Sequence, residues 1–137
     1  MKIINTIKNR KGEGYIDGAI VILICVMMIA LAFAVYPVFV AKSQINQFAG
    51  EIIREAEISG AIGQNVNNRI EKLEKELIKV DDITWDAEYI QGTKKVQLDG
   101  SIEVTVKKNM DIGFFKFGSF PVTLTARDSG YSEVYWK

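Results

Sequence analysis

GAIVILICVMMIALAFAVYPVFVA, residues 18–41, runs for 24 positions without a charged side chain. As an α-helix rising about 1.5 Å per residue it reaches roughly 36 Å, against a hydrocarbon core of roughly 30 Å, so it is long enough to cross a bilayer. This one reading divides the chain into a basic leader (1–12), an apolar transmembrane or assembly helix (13–41) and a head (42–137). The head has 96 residues, enough for one small domain.

Charge differs on the two sides of the stretch. Residues 1–12 hold Lys2, Lys8, Arg10 and Lys11 and no acid, whereas the remainder holds 13 basic and 17 acidic residues. Lys and Arg clustered beside a span stay in the cytoplasm, which predicts a cytoplasmic N-terminus and an extracytoplasmic head. The chain contains no histidine, and its single cysteine, Cys25, lies inside the apolar run. His-based triads, His-ligated zinc, thiolate sites in the head and intramolecular disulfides are thereby excluded. No phosphate-binding loop, dinucleotide fingerprint, nucleophile elbow or zinc spacing occurs, so we expect no enzyme, no metal and no cofactor.

Three readings compete for the N-terminus. A cleaved secretory signal would use Ala30-Leu31-Ala32 or Ala32-Phe33-Ala34, yet the apolar run continues through Val35, Tyr36, Val38, Phe39 and Val40, past either site. A plain single-span anchor is the second reading. The third rests on the order Asn9-Arg10-Lys11-Gly12, then Glu13-Gly14-Tyr15-Ile16-Asp17, then the apolar run. This resembles the class III leader of type IV pilins and of the TadE-like pseudopilins of tight-adherence systems. The resemblance covers about the first 45 residues. It implies that a membrane aspartyl peptidase cuts on the cytoplasmic side between Gly12 and Glu13, which makes Asp17 the fifth residue of the mature chain. Aspartate stands where those families usually carry glutamate, and Pro37 falls deeper in the helix than the proline common in TadE-like spans. Read without the resemblance, Asp17 is a charge at the membrane boundary. Pro37 lacks a backbone donor and crowds the preceding turn, which predicts a kink near the outer end of the helix.

Beyond Lys42 the apolar residues Ile45, Phe48, Ala49, Ile52, Ile53 and Ala56 recur on one helical face, so the span is expected to run on into an amphipathic helix. Gly60 and Gly63 end or bend it. A second helix is expected over 64–80, its stripe of Val66, Ile70, Leu73 and Leu77 packed on a sheet or on a partner helix. Asp81-Asp82 closes it and lacks the other oxygen ligands a metal needs.

The period then changes from 3.6 to 2. Strands are expected over 83–89 and 96–106 around a turn at Gln91-Gly92-Thr93, over 120–126, and over 132–136 after a turn at Asp128-Ser129-Gly130. Met110 to Phe120 contains Phe114, Phe115, Phe117 and Phe120, which either fill the core of a hairpin or present an apolar patch to another subunit. Its few lysines in an acidic head do not make a nucleic-acid surface. The expected fold is α+β: a long N-terminal helix, transmembrane and then amphipathic, with a second helix on a small antiparallel meander.

The expected function is structural. Resemblance implies a pilin-like or TadE-like subunit of a surface-filament, secretion or conjugation apparatus. Its partners would be a prepilin-type leader peptidase, an assembly platform with its ATPase, like or related subunits, and the lipid membrane. The chain is also similar to short single-span proteins of Gram-positive mobile elements, which implies conjugation. The alternative is a bitopic accessory that binds a secretion or conjugation complex without forming a filament.

Overall fold

In the computed structural model, which describes residues 13–113 and 118–137, two helices precede three strands. They are α1 (Glu13–Ser59), α2 (Gln64–Glu76), β1 (Asp82–Ala87), β2 (Ser101–Gly113) and β3 (Ser119–Tyr131). The strands form an antiparallel sheet in the order β1-β2-β3, and the class is α+β as expected. Two compact units divide the chain: one extends to Tyr36, the other spans Pro37–Lys137.

Within the second unit the core is built from the stripes the sequence marked. Ala41, Ile45, Phe48, Ala49, Ile52, Ile53 and Ala56 of α1 are buried together with Val66 and Leu73 of α2. They meet the inner face of the sheet, Ile102, Val104 and Val106 of β2 and Leu124 and Ala126 of β3, with Ile83, Trp85 and Ala87 of β1 packed against the cluster. Period-2 alternation places these residues on one face and Thr84, Asp86, Glu103 and Lys107 on the other. Burial of a leucine such as Leu73, together with the cavity its loss would leave, makes Leu73→Ala cost about 2–5 kcal/mol. Thermal melting of a 37–137 fragment checks this, and an unchanged midpoint would contradict the packing.

α1 ends where Gly60 takes φ +60° and returns its N–H to Ala56 O at 2.9 Å. This left-handed cap suits glycine alone here, because a Cβ would also lie 2.5 Å from Val134 Cβ.

Four expectations are corrected. α2 stops at Glu76 instead of Val80, with Leu77 N–H bonded to Leu73 O at 2.8 Å. Leu77, Ile78 and Val80 all pack against the core, which they could not do from a single helical stripe, because Ile78 would sit a quarter turn away. The second strand begins at Ser101 and not at residue 96, since Gln97–Gly100 make a turn closed by Gly100 N–H on Gln97 O at 2.8 Å, with Asp99 at φ 62°. That turn breaks the alternation, so Val96 is buried while Leu98 is 45% exposed.

Asp128-Ser129-Gly130 is no turn. It lies within β3, paired with Val104, Glu103 and Ile102. Gly130 is there because α1 passes close by: a Cβ at this position would overlap the Glu57 carboxylate, which accepts from Tyr131 N–H at 3.2 Å. The fourth strand is absent, since residues 132–137 are irregular and β2 has already spent its register on β3 as far as Ser101↔Tyr131. Specific bonds hold this segment instead. Ser132 Oγ donates to Val96 O at 2.9 Å, and Gln97 exchanges two bonds with the Trp136 backbone. Trp136 Nε1 donates to Gly60 O at 3.1 Å, and the Lys95 ammonium lies 4.0 Å from the Trp136 ring centroid.

Candidate functional site

Several charged side chains of the head make structural bonds. Asp81 Oδ2 accepts from Asn109 N–H at 2.6 Å and lies 3.8 Å from Lys108 Nζ, while Asp82 lies 3.8 Å from Lys107 Nζ, so this acidic pair ties the start of β1 to β2. Arg54 bonds Glu133 at 2.7 Å and Glu57 at 3.1 Å. Its guanidinium is held above its ordinary range, by the hydrogen bond to Glu57 first and then by that to Glu133. Arg69 is raised in the same direction by its hydrogen bond to Glu51, a link from α2 back to α1. Among the described residues no cluster of histidine, cysteine, aspartate or glutamate is arranged to hold a metal ion.

The largest run of exposed apolar side chains among the described residues is the first part of α1. From Tyr15 to Tyr36 nearly every large side chain is exposed, including Ile16, Ile20, Ile22, Leu23, Met27, Met28, Leu31 and Phe33. This helix is long and apolar enough to cross a membrane, and none of its most apolar window is buried. So many unburied aliphatic groups in one stretch demand an apolar surrounding. The helix form satisfies most of its backbone groups internally, apart from the first turn and the carbonyl that Pro37 leaves without a donor, and this is the condition for lying in lipid.

The sequence-derived site residues are distributed along this element. Gly12 lies outside the described residues, and Glu13 is the first residue of α1. Asp17, four residues on, is exposed on the first turns of the helix. Pro37 lies inside α1, which runs through it as helix, and the compact unit of the head begins at that residue.

One feature passed over in the sequence stands beside Asp17. Gly14 and Gly18 are four residues apart, hence on one face of α1, and a Cβ at either would meet nothing within 4 Å. A small-x-x-x-small pair of this kind lets a second apolar helix approach closely. The spacing Gly14-Tyr-Ile-Asp-Gly18 was the available signal.

A family model described as "Domain of unknown function (DUF4320)" matches residues 22–137. The match takes in most of the apolar stretch and all of the head, and it begins after Asp17. No curated protein and no solved structure matches the chain.

Proposed function

We propose, for a chain that belongs to the DUF4320 family, a structural role: a single-span membrane protein with a cytoplasmic N-terminus and an extracytoplasmic α+β head. Its N-terminal helix would assemble with like helices in a surface-filament, secretion or conjugation apparatus, in the manner of pilin-like and TadE-like subunits. The observation that carries this reading is the unburied apolar part of α1. The leader supports the finer part. Four basic residues precede Gly12, and the acid at Asp17 falls fifth after it. Leader peptidase, assembly platform, ATPase and neighbouring subunits are the partners this reading requires.

Intact mass of the protein extracted from membranes, together with fractionation, tests it. The expected mass is that of a chain starting at Glu13, with some of it in material sheared from cells. A full-length chain confined to membranes would overturn the subunit reading in favour of a bitopic accessory protein. An N-terminus at Phe33 or Val35 would mean an ordinary secretory signal and overturn both.

A further inference from the structure

The two edges of the sheet are finished differently. On the β3 side, Ser132 N–H donates to Gly100 O at 3.0 Å, so even-numbered residues bond to β2 and odd-numbered ones turn their N–H and C=O outwards. That edge is taken up. Pro121 has no N–H to offer, Lys42 Nζ donates to Thr125 O, and the Glu57 carboxylate accepts from Tyr131 N–H at 3.2 Å. On the β1 side, Glu88 N–H donates to Ser101 O at 3.1 Å, in step with the register Ala87↔Ile102, so here too the odd-numbered residues face away from β2. No other described residue bonds to the outward N–H and C=O of Ile83 or Trp85. A row of unpaired strand groups of this kind is a template for another strand.

Apolar cover thins on the same side. Ile83, Trp85 and Ala87, on the inner face of β1, are half-buried, whereas Ile102, Val104 and Val106 beside them on β2 are fully buried. The outer face of this edge is acidic, with Asp82, Asp86 and Glu88 all exposed. Asp82 lies 3.8 Å from Lys107 Nζ, but Asp86 is registered against Glu103, and neither Asp86 nor Glu88 has an ion-pair partner among the described residues. Like charges directly opposite one another across a ladder are unfavourable, and a cation beside them relieves this.

We infer that β1 is a docking edge for an extended segment of another protein, which adds a strand carrying Lys or Arg on alternate residues beside Asp86 and Glu88. The residues between those cations are apolar and continue the inner face past Ile83 and Trp85. This concerns the head alone and does not rest on the reading of α1. Backbone bonds to Ile83 and Trp85 supply the attachment, and the alternate side chains supply the choice of partner. Charge argues against a second copy. Two β1 edges related by a two-fold axis run antiparallel: with the axis at Trp85, Asp82 meets Glu88 twice, and with the axis at Thr84, Asp82 meets Asp86 twice. The β3 edge of a second copy is taken up by its own Lys42, Glu57 and Pro121.

The test uses the full chain in neutral maltoside micelles and reads amide hydrogen exchange residue by residue by NMR. The probe is the peptide Lys-Val-Lys-Val-Lys, blocked at both ends. At a concentration about ten times its Kd, exchange at the Ile83 and Trp85 amides is expected to slow about tenfold, with no change along β3. Two control peptides are expected to bind far more weakly: Lys-Val-Lys-Pro-Lys, which keeps the charge but loses a ladder donor, and Glu-Val-Glu-Val-Glu. The double variant Asp82→Lys/Asp86→Lys, at exposed positions, is expected to reverse the preference between the lysine and glutamate peptides. Should circular dichroism show that variant unfolded, the three peptides on the parent chain decide alone. No protection by the lysine peptide up to its solubility limit would overturn the inference. Equal binding of the proline peptide would do so as well, since it would mean attraction of charge without an added strand, and so would an unchanged preference in the folded variant. Protection of Ile83 and Trp85 that rises with protein concentration without peptide would overturn it in favour of a second copy.

Discussion

Phe48→Ala is expected to remove about 3–5 kcal/mol from the head, the usual cost of deleting a fully buried aromatic and leaving a cavity. Phe48 has 0% exposure and is the largest fully buried side chain among the described residues. It sits centrally in the α1 stripe, with Ile45 and Ile52 one turn to either side. Domains of this size are stable by about 5–15 kcal/mol in total, so a large share would be lost. At about 4–8 °C per kcal/mol the melting midpoint should fall by more than 10 °C. Thermal and urea unfolding of residues 37–137 decides the matter. A midpoint within 2 °C or so of the parent, far below that scale, would show that α1 does not carry the core. A fall as large in an exposed control such as Glu103→Ala would show that the fragment is merely fragile.

Asp17→Asn is expected to leave removal of the leader untouched and to lower assembly severely. On the proposed reading a cut after Gly12 would give Glu13 a new ammonium, and in a bundle of staggered parallel helices that charge would lie near Asp17 of a neighbour in a low dielectric. Removing one partner of a buried pair leaves the other uncompensated, at about 3–5 kcal/mol. At about 1.4 kcal/mol per tenfold, that is at least a hundredfold in association. The Glu13 carboxylate sits beside the same ammonium and draws off part of its attraction, so the lower end is expected. Asp17→Glu keeps the charge and should preserve both steps. Leader removal read by mass, and oligomers read by crosslinking, separate the effects. Normal assembly of a processed Asp17→Asn chain would reduce Asp17 to a boundary charge.

Helical parts of the fold were legible because their signal is redundant. Seven apolar residues from Ala41 to Ala56 repeat the same face of α1, and Val66, Ile70 and Leu73 do so on α2, so the existence of each helix survives a single misreading, although the end of α2 was read four residues too far. Strand boundaries were less legible, because one residue type serves two physical ends. Asp128-Ser129-Gly130 has the composition of a turn, yet Gly130 is required where Glu57 occupies the space a Cβ would fill. That requirement comes from α1, more than 70 residues earlier, and no local window contains it. Likewise Leu98 has the parity of a core position, and only the turn over Gln97–Gly100 removes it. In the candidate site, the apolar span was plain from composition. The Gly14/Gly18 pair was missed because the residues around it were read for the spacing of Asp17 from Gly12 and not as a helix face.

The bonds that fasten α1 to the sheet have a kinetic consequence. Lys42 to Thr125, Glu57 to Tyr131 and Gly60 to Trp136 join partners 83, 74 and 76 residues apart. Such a high contact order slows folding towards the millisecond-to-second range of β-rich domains, because long loops must close before any of these contacts forms. α1 is synthesised first, and its stripe of Ile45, Phe48 and Ile52 has no sheet to cover it until β3 has emerged. A nascent chain stalled before Ser119 should therefore remain protease-sensitive and prone to self-association, and protection should appear in one step after β3 is released.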